Sequence, residues 1–116
     1  MKATDRFIID GVVCELDGRE LKVANLSISG LFAITDLALT PGQHVEMMLR
    51  LPDRAPFRVL GQVSWTNDPA APRAADLPQG LGIRITRIAL PDKVALLDLL
   101  KRASPGNVRQ RGAPES

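Results

Sequence analysis

Asn25, Ser27 and Gly30 lie together in the segment Asn25-Leu26-Ser27-Ile28-Ser29-Gly30, where two alternating stretches of sequence meet. Asn and Ser side chains bend a chain by bonding nearby backbone groups. Glycine takes a positive φ without strain and lets a ligand approach the backbone. The segment therefore reads either as a capped turn or as a turn that presents a binding site. Two cations stand upstream, Lys2 and Arg6. Arginine offers a planar fork of donors, lysine a point charge. Their plain alternative is a solvated basic start. Catalytic chemistry has less to work with. His44 is the sole imidazole and sits mid-strand on a wet face, and Cys14 sits among apolar residues. A triad needs a nucleophile, a base and an orienting acid, and none is assembled here. One His, one Cys and scattered carboxylates make no metal cluster. Gly80-Leu81-Gly82 is too short a match for a phosphate loop. The expectation is a non-enzyme without cofactor or metal.

The elements that must position these residues are strands. Most of the glycines and prolines fall between apolar segments, a β pattern. Strands are expected over Phe7–Leu16, Arg19–Ala24, Leu31–Ile34, Gln43–Leu51, Phe57–Thr66 and Gly80–Ile88. Asp17-Gly18 reads as a tight hairpin between the first two. Val45, Met47, Leu49 and Leu51 share one face, as do Phe57, Val59, Gly61, Val63 and Trp65, by strict alternation. Asn67 to Pro78 lacks periodicity and reads as a long hairpin loop. Then the period becomes helical. Pro91 and Asp92 suit a first turn, and a helix is expected from about Pro91 to Arg102, stopped by Ser104-Pro105-Gly106. Six strands without intervening helices favour an all-β barrel or sandwich. The organisation expected is an N-terminal arm (1–6), a barrel with its helix (7–102) and a disordered tail (103–116).

The 116 residues suffice for one domain with a core. The chain lacks a run of ~20 apolar residues and an apolar leader at its start. Its single cysteine forms no internal disulfide. These features point to a cytoplasmic protein without membrane insertion. A net charge of +2 permits an anionic partner. Three phenylalanines, one tryptophan and no tyrosine are few platforms for bases, which disfavours a nucleic-acid-binding barrel.

Taken in order, these motifs resemble the PilZ domain, a bacterial receptor module for cyclic di-GMP. That family carries an Arg-x-x-x-Arg motif before its first strand and an Asp/Asn-x-Ser-x-x-Gly motif between its second and third. Asn25, Ser27 and Gly30 fill the second motif, and Arg6 fills the second arginine of the first. Gly30-Leu31-Phe32, Gly61-Gln62-Val63-Ser64-Trp65 and Gly80-Leu81-Gly82-Ile83-Arg84-Ile85 resemble later family patterns, over about residues 2 to 102. Lys2 stands where the family has its first arginine.

The resemblance implies a six-stranded antiparallel barrel with one C-terminal helix. It implies a cyclic di-GMP site made of Lys2, Arg6, Asn25, Ser27 and Gly30. Arg6 would bond a phosphate or the guanine O6/N7 edge and stack on a base. Lys2 would add charge without the fork. Asn25 and Ser27 would bond a guanine edge or hold the loop, and Gly30 would leave room for the ligand. The segment Met1 to Asp5 would fold onto the ligand as a switch. The partner implied is a signalling, motility or pilus-assembly protein. The departure at Lys2 leaves an alternative: a degenerate PilZ adaptor that binds no nucleotide and works through protein contacts in type IV pilus assembly or motility control.

Overall fold

The structure, a computed structural model, describes residues 6–110. Six antiparallel strands form a closed barrel in the order β1-β2-β3-β6-β5-β4. They are β1 (Val13–Leu16), β2 (Arg19–Leu26), β3 (Gly30–Ile34), β4 (His44–Arg50), β5 (Phe57–Asn67) and β6 (Gly80–Ile88), followed by helix α1 (Leu90–Gln110). The expected architecture is the one observed. The Asp17-Gly18 hairpin forms as read: both residues have positive φ, 54° and 74°, which a two-residue hairpin turn requires.

Alternation fills the barrel. Cys14, Leu21, Leu31, Ala33, Met47, Leu49, Val59, Val63, Leu81 and Ile83 are all buried in one core cluster. In α1 the two apolar stripes of the sequence separate. Leu96, Leu99 and Leu100 join that core, while Leu90, Val94 and Leu97 face outward. Arg54 fixes the start of α1 through a 2.7 Å ion pair to Asp92.

Three features differ from expectation. The first strand does not run from Phe7 to Leu16. Gly11 has φ +87°, a conformation that ends an extended run, and β1 begins only at Val13. Phe7 instead forms an isolated bridge to Leu26. The helix does not stop at Arg102 but continues through Ser104-Pro105-Gly106 to Gln110. An interior proline removes one hydrogen bond and crowds one carbonyl, which kinks a helix without obliging it to end. The expected tail (103–116) is thus helical as far as Gln110, and 111–116 lie outside the described residues.

The third difference governs the outer face. Strict alternation fails at three bulges, one of them where Leu60 of β5 pairs with Arg87 and Gly61 with Ile85 of β6; the other two shape the outer face. In β2 the register slips between Val23 and Asn25, so that Val23 pairs with Ala33 and Asn25 with Phe32. In β5 it slips between Val63 and Trp65, so that Val63 pairs with Ile83 and Trp65 with Gly82. An extra residue in one strand reverses the facing of everything beyond it. Trp65 was expected beside Val63 in the core. It faces outward instead, against Phe32, at 5.2 Å between ring centroids.

Candidate functional site

The two motifs meet in space. Phe7 exchanges backbone hydrogen bonds with Leu26, its N–H donating to the Leu26 carbonyl at 2.8 Å and its carbonyl accepting from the Leu26 N–H at 2.9 Å. This lays the chain before Phe7 along the end of β2. The bulge at Ala24 turns Asn25 to the same outer face. There Arg6 Nη1 donates to Asn25 Oδ1 at 3.1 Å, across nineteen positions of sequence.

Ser27 serves the loop and not the surface. It is fully buried. Its Oγ accepts from the N–H groups of Ser29 (3.2 Å) and Gly30 (3.1 Å) and lies 3.2 Å from the Gly30 carbonyl, to which it donates. The Ser27 N–H donates to that same carbonyl at 2.8 Å. Of the two roles open to Ser27 in the sequence, holding the loop is the one its position allows.

Gly30 does not have the positive φ that a glycine at a turn can adopt. A Cβ there would stand 2.4 Å from the Ile83 carbonyl oxygen and 3.3 Å from the Arg84 Cα. Glycine is needed for β3 to approach β6. Lys2, and the switch role of Met1 to Asp5, fall outside the described residues.

Beside Arg6 and Gly30 lies a small cavity of about 110 Å³, lined also by Ser29, Ser64, Trp65, Gly82, Ile83 and Arg84. Its floor depends on Gly82: a Cβ there would meet the Trp65 indole nitrogen at 2.0 Å. Trp65 also carries the Arg73 guanidinium 5.4 Å from its ring centre. That arginine comes from the long loop after β5, which is ordered by one side chain. Asn67, 3% exposed, accepts from the N–H groups of Arg73 and Ala74 at 2.9 and 3.0 Å and donates to the carbonyls of Ala74, Leu77 and Pro78 at 3.0 to 3.1 Å.

The sequence shows Trp65 and Arg84 only within longer family-like patterns, and Asn67 only as the start of the long loop, none of them as a candidate site residue. A buried Asn at a strand's end before a Pro- and Ala-rich loop was the available signal. For Trp65 the bulge hid the facing. His44 is exposed, as expected of a residue on the wet face. Cys14 is buried, and burial pushes its thiol up from 9.0 to about 12, so it stays protonated and unreactive. No group of three or more His, Cys, Asp or Glu residues suited to a metal exists among the described residues, and no described helix is long and apolar enough to cross a membrane.

A closed antiparallel barrel of six strands with one C-terminal helix is a PilZ-type fold. Solved structures share it. The Bacillus subtilis inhibitor of motility MotI/DgrA matches with a TM-score of 0.67 and 21% identity, over 88% of this chain and 51% of that one. YcgR from Escherichia coli, in complex with c-di-GMP, matches with a TM-score of 0.64 and 13% identity, over 92% of this chain and 47% of that one. PlzA from Borreliella burgdorferi, also in complex with c-di-GMP, matches with a TM-score of 0.52 and 14% identity, over 84% of this chain and 40% of that one. The chain therefore spans about half or less of each. At the level of sequence, no family model and no curated protein matches.

Proposed function

We propose that this chain is a PilZ-type receptor that binds cyclic di-GMP around Arg6 and Asn25 and passes the signal to a protein partner, without catalysing a reaction. The observation that carries this reading is the hydrogen bond between Arg6 and Asn25. It joins two motifs that the sequence holds apart, on the outer face of a barrel whose structural neighbours include two complexes with c-di-GMP.

The chemistry follows from the arrangement. Cyclic di-GMP presents two phosphodiester anions and two guanine O6/N7 edges. Arg6, its guanidinium steadied by Asn25, offers the fork that suits either group. Ser27 shapes the turn from behind, and Gly30 keeps β3 and β6 close enough for both to border the same cavity. Lys2 would add a charge from the arm. Relay has a candidate surface in Leu90, Val94 and Leu97, which are 72%, 51% and 38% exposed. Their i, i+4, i+7 spacing is the one by which helices dock in grooves.

That stripe also favours a second reading, in which the protein is an adaptor for a signalling, motility or pilus-assembly partner and binds no nucleotide. Isothermal titration separates the two. The receptor reading expects saturable heat with cyclic di-GMP, little with cyclic di-AMP, and loss of the signal in Arg6→Ala. No heat at high micromolar cyclic di-GMP removes it and leaves the adaptor.

A further inference from the structure

The cavity beside Arg6 has a second cationic wall. Arg84 lies on β6 directly opposite Gly30 of β3 and Gln62 of β5 in the strand registers. Arg84 lines the same space as Arg6 and Trp65. Among the described residues no carboxylate lines that space. Four larger cavities of the barrel each carry at least one, such as Glu20, Asp36, Asp98 or Asp92.

The partner of Arg84 is unusual for this molecule. Arg19, Arg50, Arg54 and Arg58 each pair with an Asp or Glu. Arg84 makes no such pair among the described residues. It donates to the neutral Gln62 Oε1. Gln62 is itself anchored, its Nε2 donating to the Gly42 carbonyl at 3.0 Å. A fixed amide thus orients the guanidinium without neutralising it. An arginine held in place but left with its full charge is prepared for an anion. A second guanidinium at the same opening, that of Arg6, raises the local affinity for a polyanion further.

We propose that Arg84 is a second anion-binding residue of this site, taking a phosphodiester of the bound nucleotide while Arg6 engages another part of it, and that Gln62 positions it. The inference rests on the cyclic di-GMP reading for the identity of the nucleotide. A cyclic dinucleotide is several times larger than 110 Å³, so it must span the opening rather than enter it. One phosphate fits within.

Trp65 makes the test direct. It is the sole tryptophan, and the chain has no tyrosine, so intrinsic fluorescence reports on this cavity alone. Cyclic di-GMP, and separately inorganic pyrophosphate, would be titrated into the full chain, with calorimetry in parallel. The parent should show a saturable change in emission. Arg84→Gln should bind about ten- to a hundredfold more weakly, as expected for one charge-assisted contact. Arg84→Lys should recover only part of the loss, because lysine lacks the fork. Gln62→Glu should weaken binding severalfold by pairing Arg84 and adding negative charge, with an unchanged melting curve. Arg84 and Gln62 are exposed enough for these variants to fold, which thermal melts would check. If Arg84→Gln binds like the parent while Arg6→Ala does not, the inference is overturned and the receptor reading stands. If the parent binds pyrophosphate in an Arg84-dependent way but not cyclic di-GMP, the anion site stands and the receptor reading falls. If neither ligand binds, both fall.

Discussion

Arg6 and Asn25 are held together at two levels. Their side chains share a 3.1 Å hydrogen bond, and their neighbours Phe7 and Leu26 share a pair of backbone bonds. The backbone pair sets the register, and the bulge at Ala24 sets the facing. The side-chain bond then couples the Arg6 guanidinium to an amide that steadies it.

That coupling is measurable. A double-mutant cycle on Arg6→Ala and Asn25→Ala should give an interaction of about 0.5–1.5 kcal/mol in cyclic di-GMP affinity, the net worth of one such bond. Strict additivity of the two alanine variants would mean that Asn25 does not act through Arg6.

Lys2→Arg should tighten binding of cyclic di-GMP by about tenfold, corresponding to one added forked contact after the cost of ordering the arm. The gain should shrink in an Asn25→Ala background, where Arg6 is less well held. An unchanged dissociation constant would show that the arm contributes no contact of this kind.

Gly30→Ala should destabilise the barrel whether or not ligand is present. A methyl group 2.4 Å from the Ile83 carbonyl oxygen forces β3 and β6 apart. Overpacking of this kind costs roughly 1–3 kcal/mol, a fall in Tm of several degrees or more for a domain of this size. Thermal melts of the free protein would read it. A variant that melts like the parent yet loses ligand would return Gly30 to the role of leaving room for a ligand.

Asn67→Ala should release the loop between β5 and β6. It removes both halves of an amide that satisfies five backbone groups, and the loss should be about 2–4 kcal/mol with some groups rehydrating. Hydrogen exchange should show the amides of Arg73 and Ala74 losing protection first. Because that loop carries Arg73 to Trp65, the emission of Trp65 should shift as well.

Cys14 predicts an alkaline limb in stability. Its thiol is raised from 9.0 to about 12 by burial, so between those values the folded state holds a proton that the unfolded state has lost. Stability is then complete below about pH 9 and falls as pH rises toward 12. Denaturant melts of Cys14→Ala should show a shallower decline above pH 9, on a baseline lowered by the missing side chain. Equal slopes in the two proteins would contradict the assignment.

The barrel was legible in the sequence because period-2 patterning is read locally. Met47 and Leu49 share the face that alternation assigns to the core, and both are buried there. The site was legible in part. Asn25 and Arg6 were named from motif spacing, but their hydrogen bond depends on a bulge that no local pattern announces. The same cause hid Trp65. Alternation carried it into the core, and only the pairing with β6 shows that Ser64 is the extra residue. Arg84 was hidden for a different reason: its charge is significant only because of who does not pair with it. The extension of α1 past Pro105 ran against propensity, which is a weak prior for where a helix ends.

Closure of the barrel has a consequence for how this protein can meet others. The circuit is completed where the four-residue β1 pairs with β4, through Val13, Cys14 and Glu15. With that seam shut, every described strand has a neighbour on both sides, which leaves little free edge for strand addition or edge-to-edge polymerisation. Recognition must be written in side chains, on the outer walls and along the helix. The seam is also the natural place for the circuit to open. A substitution that weakens β1, such as Leu16→Asp, would expose two edges at once and leave each open to pairing with a second copy of the chain.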